Sequence, residues 1–206
     1  DLGFATLTTI SGYIDEQDFI DADLDSSYAP SSFATYDQFN ESFSQEINLT
    51  SPSGGDFSWV AGLYYYWNAA GSENWRLNGN PFYRARITSN SISGFADGTY
   101  DLGPVSLIAG LRYSKEKRGF QRGFPGGAYT VDTDVTYTSW TPRAGLRVDV
   151  GPRSNVYATF SQGFKSGTYN LSSPSTTPVR PEKITAYEAG FKSASRAIAF
   201  HIATSH

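Results

Sequence analysis

Cysteine is absent from the 206 residues, so neither a disulfide framework nor a thiolate metal site is available. Histidine is scarce, with only His201 and His206, both among the last six residues. No Ser–His–Asp motif, HExxH pair, Walker loop or dinucleotide-binding fingerprint occurs, and no catalytic residue, metal site or cofactor is expected. Charge is thin as well. Charged residues make up 17% of the chain, against about 25% in ordinary soluble domains, and the net charge of −4 argues against nucleic acid as a partner. No apolar run approaches the roughly 20 residues of a membrane-spanning helix, and helical periodicity is poor throughout. The chain begins at Asp1 without a basic or apolar leader, and both ends lie in strand-like sequence, which suggests a piece cut from a longer protein.

Aromatics are plentiful, at 16% of residues with 14 Tyr and 14 Phe, and Gly occurs 20 times. They sit in segments that alternate with a period of two. In "FSWVAGLYYYW", Phe57, Trp59, Ala61, Leu63, Tyr65 and Trp67 share one face, and Ser58, Val60, Gly62, Tyr64 and Tyr66 the other. "VSLIAGLRYS", "TSWTPRAGLRVDV" and "NVYATFSQGF" repeat the pattern, with Pro142 as a local irregularity suited to a bulge or a missing ladder bond. Each segment has about the length of a tilted bilayer-crossing strand, roughly 9–11 residues. The faces of the segments at 6–13 and 89–100 are left unassigned.

The connections alternate too. Short, turn-rich ones start at Ser51, Asp101, Val150 and Ser193, and long polar ones cover 15–40, 68–83, 115–134 and 165–183. Successive antiparallel hairpins put every long connection at one end. That predicts an all-β fold: an antiparallel transmembrane β-barrel, here a partial barrel of about 8–10 strands, with short periplasmic turns and long extracellular loops. Aromatics near the ends of the apolar face (Phe57, Trp59, Tyr65, Trp67, Tyr113, Trp140) suit an interfacial belt, and outer-membrane lipid is the expected surround. Glu46, Arg112, Arg143, Arg147, Glu188 and Lys192 fall on the opposite, lumenal face. They could touch a plug or bridge neighbouring strands.

Four segments carry a resemblance. "FSQEINLTSPSGGDFSWVAGLYYY", "LIAGLRYSKEKR", "VYATFSQGFKSGTYN" and "VRPEKITAYEAGFKS" resemble, in order and over nearly the whole chain, the barrel motifs of TonB-dependent outer-membrane receptors. The resemblance implies a large monomeric barrel of a Gram-negative outer membrane, of which residues 1–206 are a part without plug domain or C-terminal strands. It further implies uptake of a scarce extracellular ligand, most often a ferric siderophore, driven by TonB acting through the plug.

In the long connections, Trp75, Arg76, Tyr83, Arg84, Arg118, Arg122, Tyr129 and Tyr169 are the candidate ligand residues. Arg pairs with carboxylate, catecholate or phosphate, and aromatics stack on planar groups; a merely solvated rim is the plainer alternative. "DEQDFIDADLD", Asp15 to Asp25, reads as a solvated acidic loop in preference to a Ca²⁺ site, because its spacing is not that of an EF-hand. A small self-closed outer-membrane barrel with an adhesive or structural role, and a soluble all-β carbohydrate-binding module, are the competing functions. The module predicts a polar outer surface, where this chain has Trp59, Leu63, Leu111, Trp140 and Leu146.

Overall fold

The computed structural model describes residues 1–28, 31–194 and 199–205. They form one antiparallel sheet in which every strand pairs with its sequence neighbour: β1 (Thr6–Asp23), β2 (Phe33–Thr50), β3 (Phe57–Leu77), β4 (Asn80–Leu102), β5 (Val105–Gly123), β6 (Tyr129–Gly151), β7 (Ser154–Lys165), β8 (Glu182–Ala194) and β9 (Ala199–Ser205). His206 and residues 195–198 of the short connection expected from Ser193 lie outside the described residues.

The ladder register sorts side chains by face. Tyr100, Leu107 and Leu146 stand side by side, as do Ala96, Leu111 and Pro142, and Gly94, Tyr113 and Trp140. The row of Leu63 continues through Ile47 on β2, and that of Ala144 through Phe160 and Tyr187 on β7 and β8. These rows form one continuous apolar face, and its large side chains, Leu63, Leu111 and Trp140 among them, are exposed in this chain. The register also assigns the two ambiguous segments. Leu7, Thr9, Ser11 and Tyr13 lie on the apolar face, and on β4 Ile92, Ala96 and Tyr100 take that face while Ser89, Ser91, Ser93, Asp97 and Thr99 take the polar one.

The strands are longer than a bilayer crossing. β4 and β6 have 23 residues each, roughly 75 Å at about 3.3 Å per residue, against a hydrocarbon thickness of about 30 Å. The long excursions lie at one end, as expected, but most of their length is paired ladder. The segment 68–83 is a hairpin closed by Asn78 and Gly79, both with positive φ (51° and 76°), the two-residue type I′ geometry that Asn-Gly favours. Residues 115–123 and 129–134 belong to β5 and β6, so only 124–128 turn. Beyond Tyr113 the apolar face carries Lys115 and Lys117, paired with Thr138 and Thr136. With both faces wet, no hydrophobic alternation marks the strand, and polarity alone reads as loop.

Charges on the polar face meet across the wall. Asp97 on β4, Gly110 on β5 and Arg143 on β6 lie in one row. Arg143 Nη1 reaches Asp97 Oδ2 at 3.5 Å over the glycine, where an added Cβ would lie 2.2 Å from that oxygen. Gly110→Ala is expected to push the carboxylate aside and cost about 1 kcal/mol or less, because an exposed pair contributes little. A loss of several kcal/mol on chemical unfolding would contradict this. Nearer the short turns, Arg147 pairs with Asp101 at 3.7 Å and Asp149 at 3.5 Å.

The acidic stretch is strand as far as Asp23, which spreads its carboxylates over both faces. Asp23 and Asp25 organise the turn that follows: Asp23 Oδ1 accepts from Asp25 N and Ser26 N, both at 3.1 Å, and Asp25 takes the larger share. The Asp25 carboxylate accepts from Ser27 N, Ser31 N, Ser31 Oγ and Ser32 N at 2.6–3.1 Å, and the bonds from Ser31 and Ser27 hold the carboxyl well below the usual carboxylate range. A depressed carboxyl stabilises the fold above its unfolded pKa, about 3.9, and loses that contribution only as pH falls through the folded value. Amide protection at Ser31 and Ser32 should therefore survive to pH values at which a free carboxyl is already protonated, and Asp25→Ala should remove it at neutral pH. Loss at pH 4 in the parent chain would contradict this.

Candidate functional site

The long-excursion end of the polar face gathers most of the candidate residues. Tyr36 on β2, Trp75 on β3 and Tyr83 on β4 stack in a row, with centroids 5.9 and 5.2 Å apart and ring planes within 14°. The Arg122 guanidinium on β5 lies 3.9 Å over the far face of Tyr83. Trp75 thus has both faces covered and offers its edge, the positive part of the ring quadrupole.

Tyr169 belongs to the segment 166–181 between β7 and β8, which folds back over this face. Its ring stacks on Phe120 at 5.3 Å and 14°; Phe120 is fully buried and Tyr169 is 4% exposed. The segment is tied to the wall at two further points and closed on itself at a third. Arg118 Nε and Nη2 donate to Ser166 Oγ at 3.3 and 3.1 Å, Arg122 Nη1 donates to Leu171 O at 2.9 Å, and Val179 N donates to Thr168 O at 2.7 Å. Gly167 fits only without a side chain, since a Cβ would lie 2.1 Å from Val179 O and 2.5 Å from Tyr137 Oη. "GFKSGTYN" thus leaves the strand and docks as a strap.

A concavity of about 400 Å³ lies between this strap and β1–β4, within the usual range of ligand pockets. Its lining includes Tyr36, Trp75 and Tyr83, with Glu16, Asp18 and Asn40 across from them and Leu171 from the strap. Asn40 Nδ2 donates to Glu16 Oε2 at 3.0 Å. No Lys or Arg lines it among the described residues. The nearby guanidiniums are engaged elsewhere: Arg122 with Tyr83 and Leu171, Arg118 with Ser89, Ser166 and, at 2.5 Å, Glu116. The concavity can therefore take a flat apolar group laid on ring edges and a neutral or positively charged donor facing the carboxylates.

The remaining candidates lie apart. Arg84 and Tyr129 form a separate cluster with Glu73. Arg84 Nη1 is 3.1 Å from Glu73 Oε2, the guanidinium sits 3.8 Å over the Tyr129 ring, and Tyr129 Oη donates to Glu73 Oε1 at 2.9 Å. Burial and the adjacent Glu73 carboxylate push the Tyr129 hydroxyl pKa up. Arg76 is exposed at the hairpin tip. The six polar-face charges all have partners within the wall. Besides the Arg143 and Arg147 pairs, Arg112 donates to Ser93 Oγ at 2.9 Å, Glu46 accepts from Asn48, Glu188 accepts from Tyr157 Oη and Lys192 lies 4.8 Å over the Tyr157 ring. Sequence reasoning missed Tyr36, Asp37 and Glu73 as parts of these clusters. The Asn78-Gly79 turn alone would set Trp75 opposite Phe82; a register shift between Trp75 and Arg76, which no motif marks, moves it to Tyr83.

A sheet of this kind, apolar on one face, charged on the other and long-looped at one end, is the wall of a membrane barrel. The family model "TonB dependent receptor-like, beta-barrel" matches residues 2–203. The chain belongs to the TonB-dependent receptor β-barrel family, whose members are outer-membrane transporters of Gram-negative bacteria and not enzymes. Among solved structures it is similar to the ferric yersiniabactin uptake receptor FyuA from Yersinia pestis (TM-score 0.82, 18% identity, covering 100% of this chain and 33% of that one). It is also similar to the copper transporter OprC (0.76, 13%, 97% and 35%) and to the FrpB iron transporter from Neisseria meningitidis (0.70, 15%, 100% and 34%). At these identities the likeness establishes the fold. The chain spans about a third of the length of these structures. A search of curated proteins returned no match.

Proposed function

We propose that this chain is the wall and loops of an outer-membrane uptake receptor that binds a metal chelate, most simply a ferric siderophore, and imports it with energy from TonB delivered through a plug domain. The observation that carries the reading is the strapped, aromatic-lined concavity at the long-loop end of the lumenal face, where an extracellular ligand would arrive. Of the similar structures, one is a ferric yersiniabactin uptake receptor, one an iron transporter and one a copper transporter, which keeps the proposed cargo in the class of metals and their chelates. The ligand face in contact here is flat and neutral or cationic, given Glu16 and Asp18 and the committed guanidiniums. Trp75, Tyr83, Arg118, Arg122 and Tyr169 build or hold this site; Arg76, Arg84 and Tyr129 support the hairpins. The polar-face charges stiffen the wall that surrounds the plug.

The test is uptake of radiolabelled iron by cells whose only chelate receptor is the whole protein carrying this arc. Supplied as hydroxamate or catecholate complexes, iron should enter in a TonB-dependent manner. Absence of uptake from every ferric chelate, with copper entering instead, would overturn the siderophore reading and leave the receptor class intact.

A further inference from the structure

Trp75 is on the wrong face by its number. Along β3 the odd positions Phe57 to Trp67 share the apolar face, and a regular ladder would send residue 75 there as well. It pairs instead with Tyr83 on the polar face, because β3 carries an extra residue: Ser72 to Trp75 is three steps, while their partners Ala85 to Tyr83 are two. The same irregularity shows against β2, where Thr35 to Phe39 faces Arg76 to Gly71. Such a bulge leaves backbone donors unpaired, and a buried one needs a substitute acceptor.

Asp37 supplies it. From β2 its Oδ1 accepts Ser72 Oγ at 3.1 Å, Glu73 N at 3.0 Å and Asn74 N at 2.8 Å, and its Oδ2 accepts Asn74 Nδ2 at 2.9 Å. Both amides of the bulge, and the side chains on either side of the extra residue, end on one carboxylate. Partial burial would raise its pKa, but these four bonds outweigh it and hold Asp37 ionised. The bulge also sets Glu73 where it meets Arg84 and Tyr129, so both loop clusters depend on the same local geometry.

We infer that Asp37 is the positioning residue of the concavity: it pins the β3 bulge that carries Trp75 across the sheet and completes the Tyr36–Trp75–Tyr83–Arg122 row. This role rests on the uptake reading for its consequence, and on ladder geometry alone for its mechanism.

The experiment uses the whole receptor labelled with fluorotryptophan, the Trp75 resonance being identified by its loss in Trp75→Phe. In the parent, sandwiching between Tyr36 and Tyr83 displaces that resonance by ring currents. Asp37→Ala should move it to the position of an unstacked tryptophan and leave those of Trp59 and Trp140 in place. Asp37→Asn, which keeps the oxygen that takes three of the four bonds, should retain the parent position. Deleting Asn74 should also retain the parent position, because with one residue fewer in β3 a regular ladder sets the tryptophan opposite Tyr83 without a bulge to pin. An unmoved Trp75 resonance in Asp37→Ala overturns the inference. In parallel, radiolabelled-iron uptake from hydroxamate and catecholate chelates should fall by about tenfold in both Trp75→Ala and Asp37→Ala. A moved resonance with uptake unchanged supports the positioning and counts against the concavity as the uptake site, so the two claims fail separately.

Discussion

Replacing Phe120 by Ala is expected to release the strap 166–181 from the wall. Phe120 is fully buried, lies under the Tyr169 ring, and has Ile87, Val131, Val135 and Leu171 packed around the cluster they form. Truncating a buried Phe costs about 3–5 kcal/mol, and here the loss falls mainly on the docking of one segment. What would remain are the Arg118–Ser166 and Arg122–Leu171 bonds, each net worth about 1–3 kcal/mol and weakened once water reaches them. Hydrogen exchange at 168–179 should accelerate strongly in Phe120→Ala while β4–β6 stay protected. Unchanged exchange at Tyr169 and Val179 would show that the strap is held by something other than this stack.

The second large effect is on the opposite face. Leu111 stands between Ala96 and Pro142 in the middle of the apolar band. An Arg there would have its charge at the hydrocarbon midplane, at a cost of about 2–4 kcal/mol. Thr159, on the polar face opposite Glu188, is the control: Thr159→Arg meets water and a carboxylate and should cost little. Reversible chemical unfolding of the whole receptor in bilayers compares the two. Equal losses would mean that Leu111 does not face lipid.

The barrel wall is legible in the sequence where its two environments differ. Between Val105 and Tyr113 every second side chain meets lipid, and a period of two follows directly. Past Lys115 both faces are wet, the alternation vanishes, and a long strand looks like loop. The site suffers most from this. Trp75, Tyr83, Arg118, Arg122 and Tyr169 are visible as aromatic and Arg residues in polar stretches, but their assembly depends on hairpin register, on a bulge that inverts the parity of Trp75, and on a strap folding back from β7. Asp37 carries no motif at all. It is one acid among many, distinguished only by the unpaired amides it happens to face.

The most direct test of the barrel-wall account is a single-cysteine spin-label scan along β5 in the membrane-reconstituted receptor, made easy by a chain segment with no native Cys. From Val105 to Tyr113 the odd positions should be accessible to oxygen and closed to a polar relaxant, and the even positions the reverse. Beyond Lys115 exposed positions on both faces should be open to the polar relaxant. A polar relaxant that reaches Leu107, Ala109 and Leu111 as readily as Gly110 and Arg112 would contradict the account.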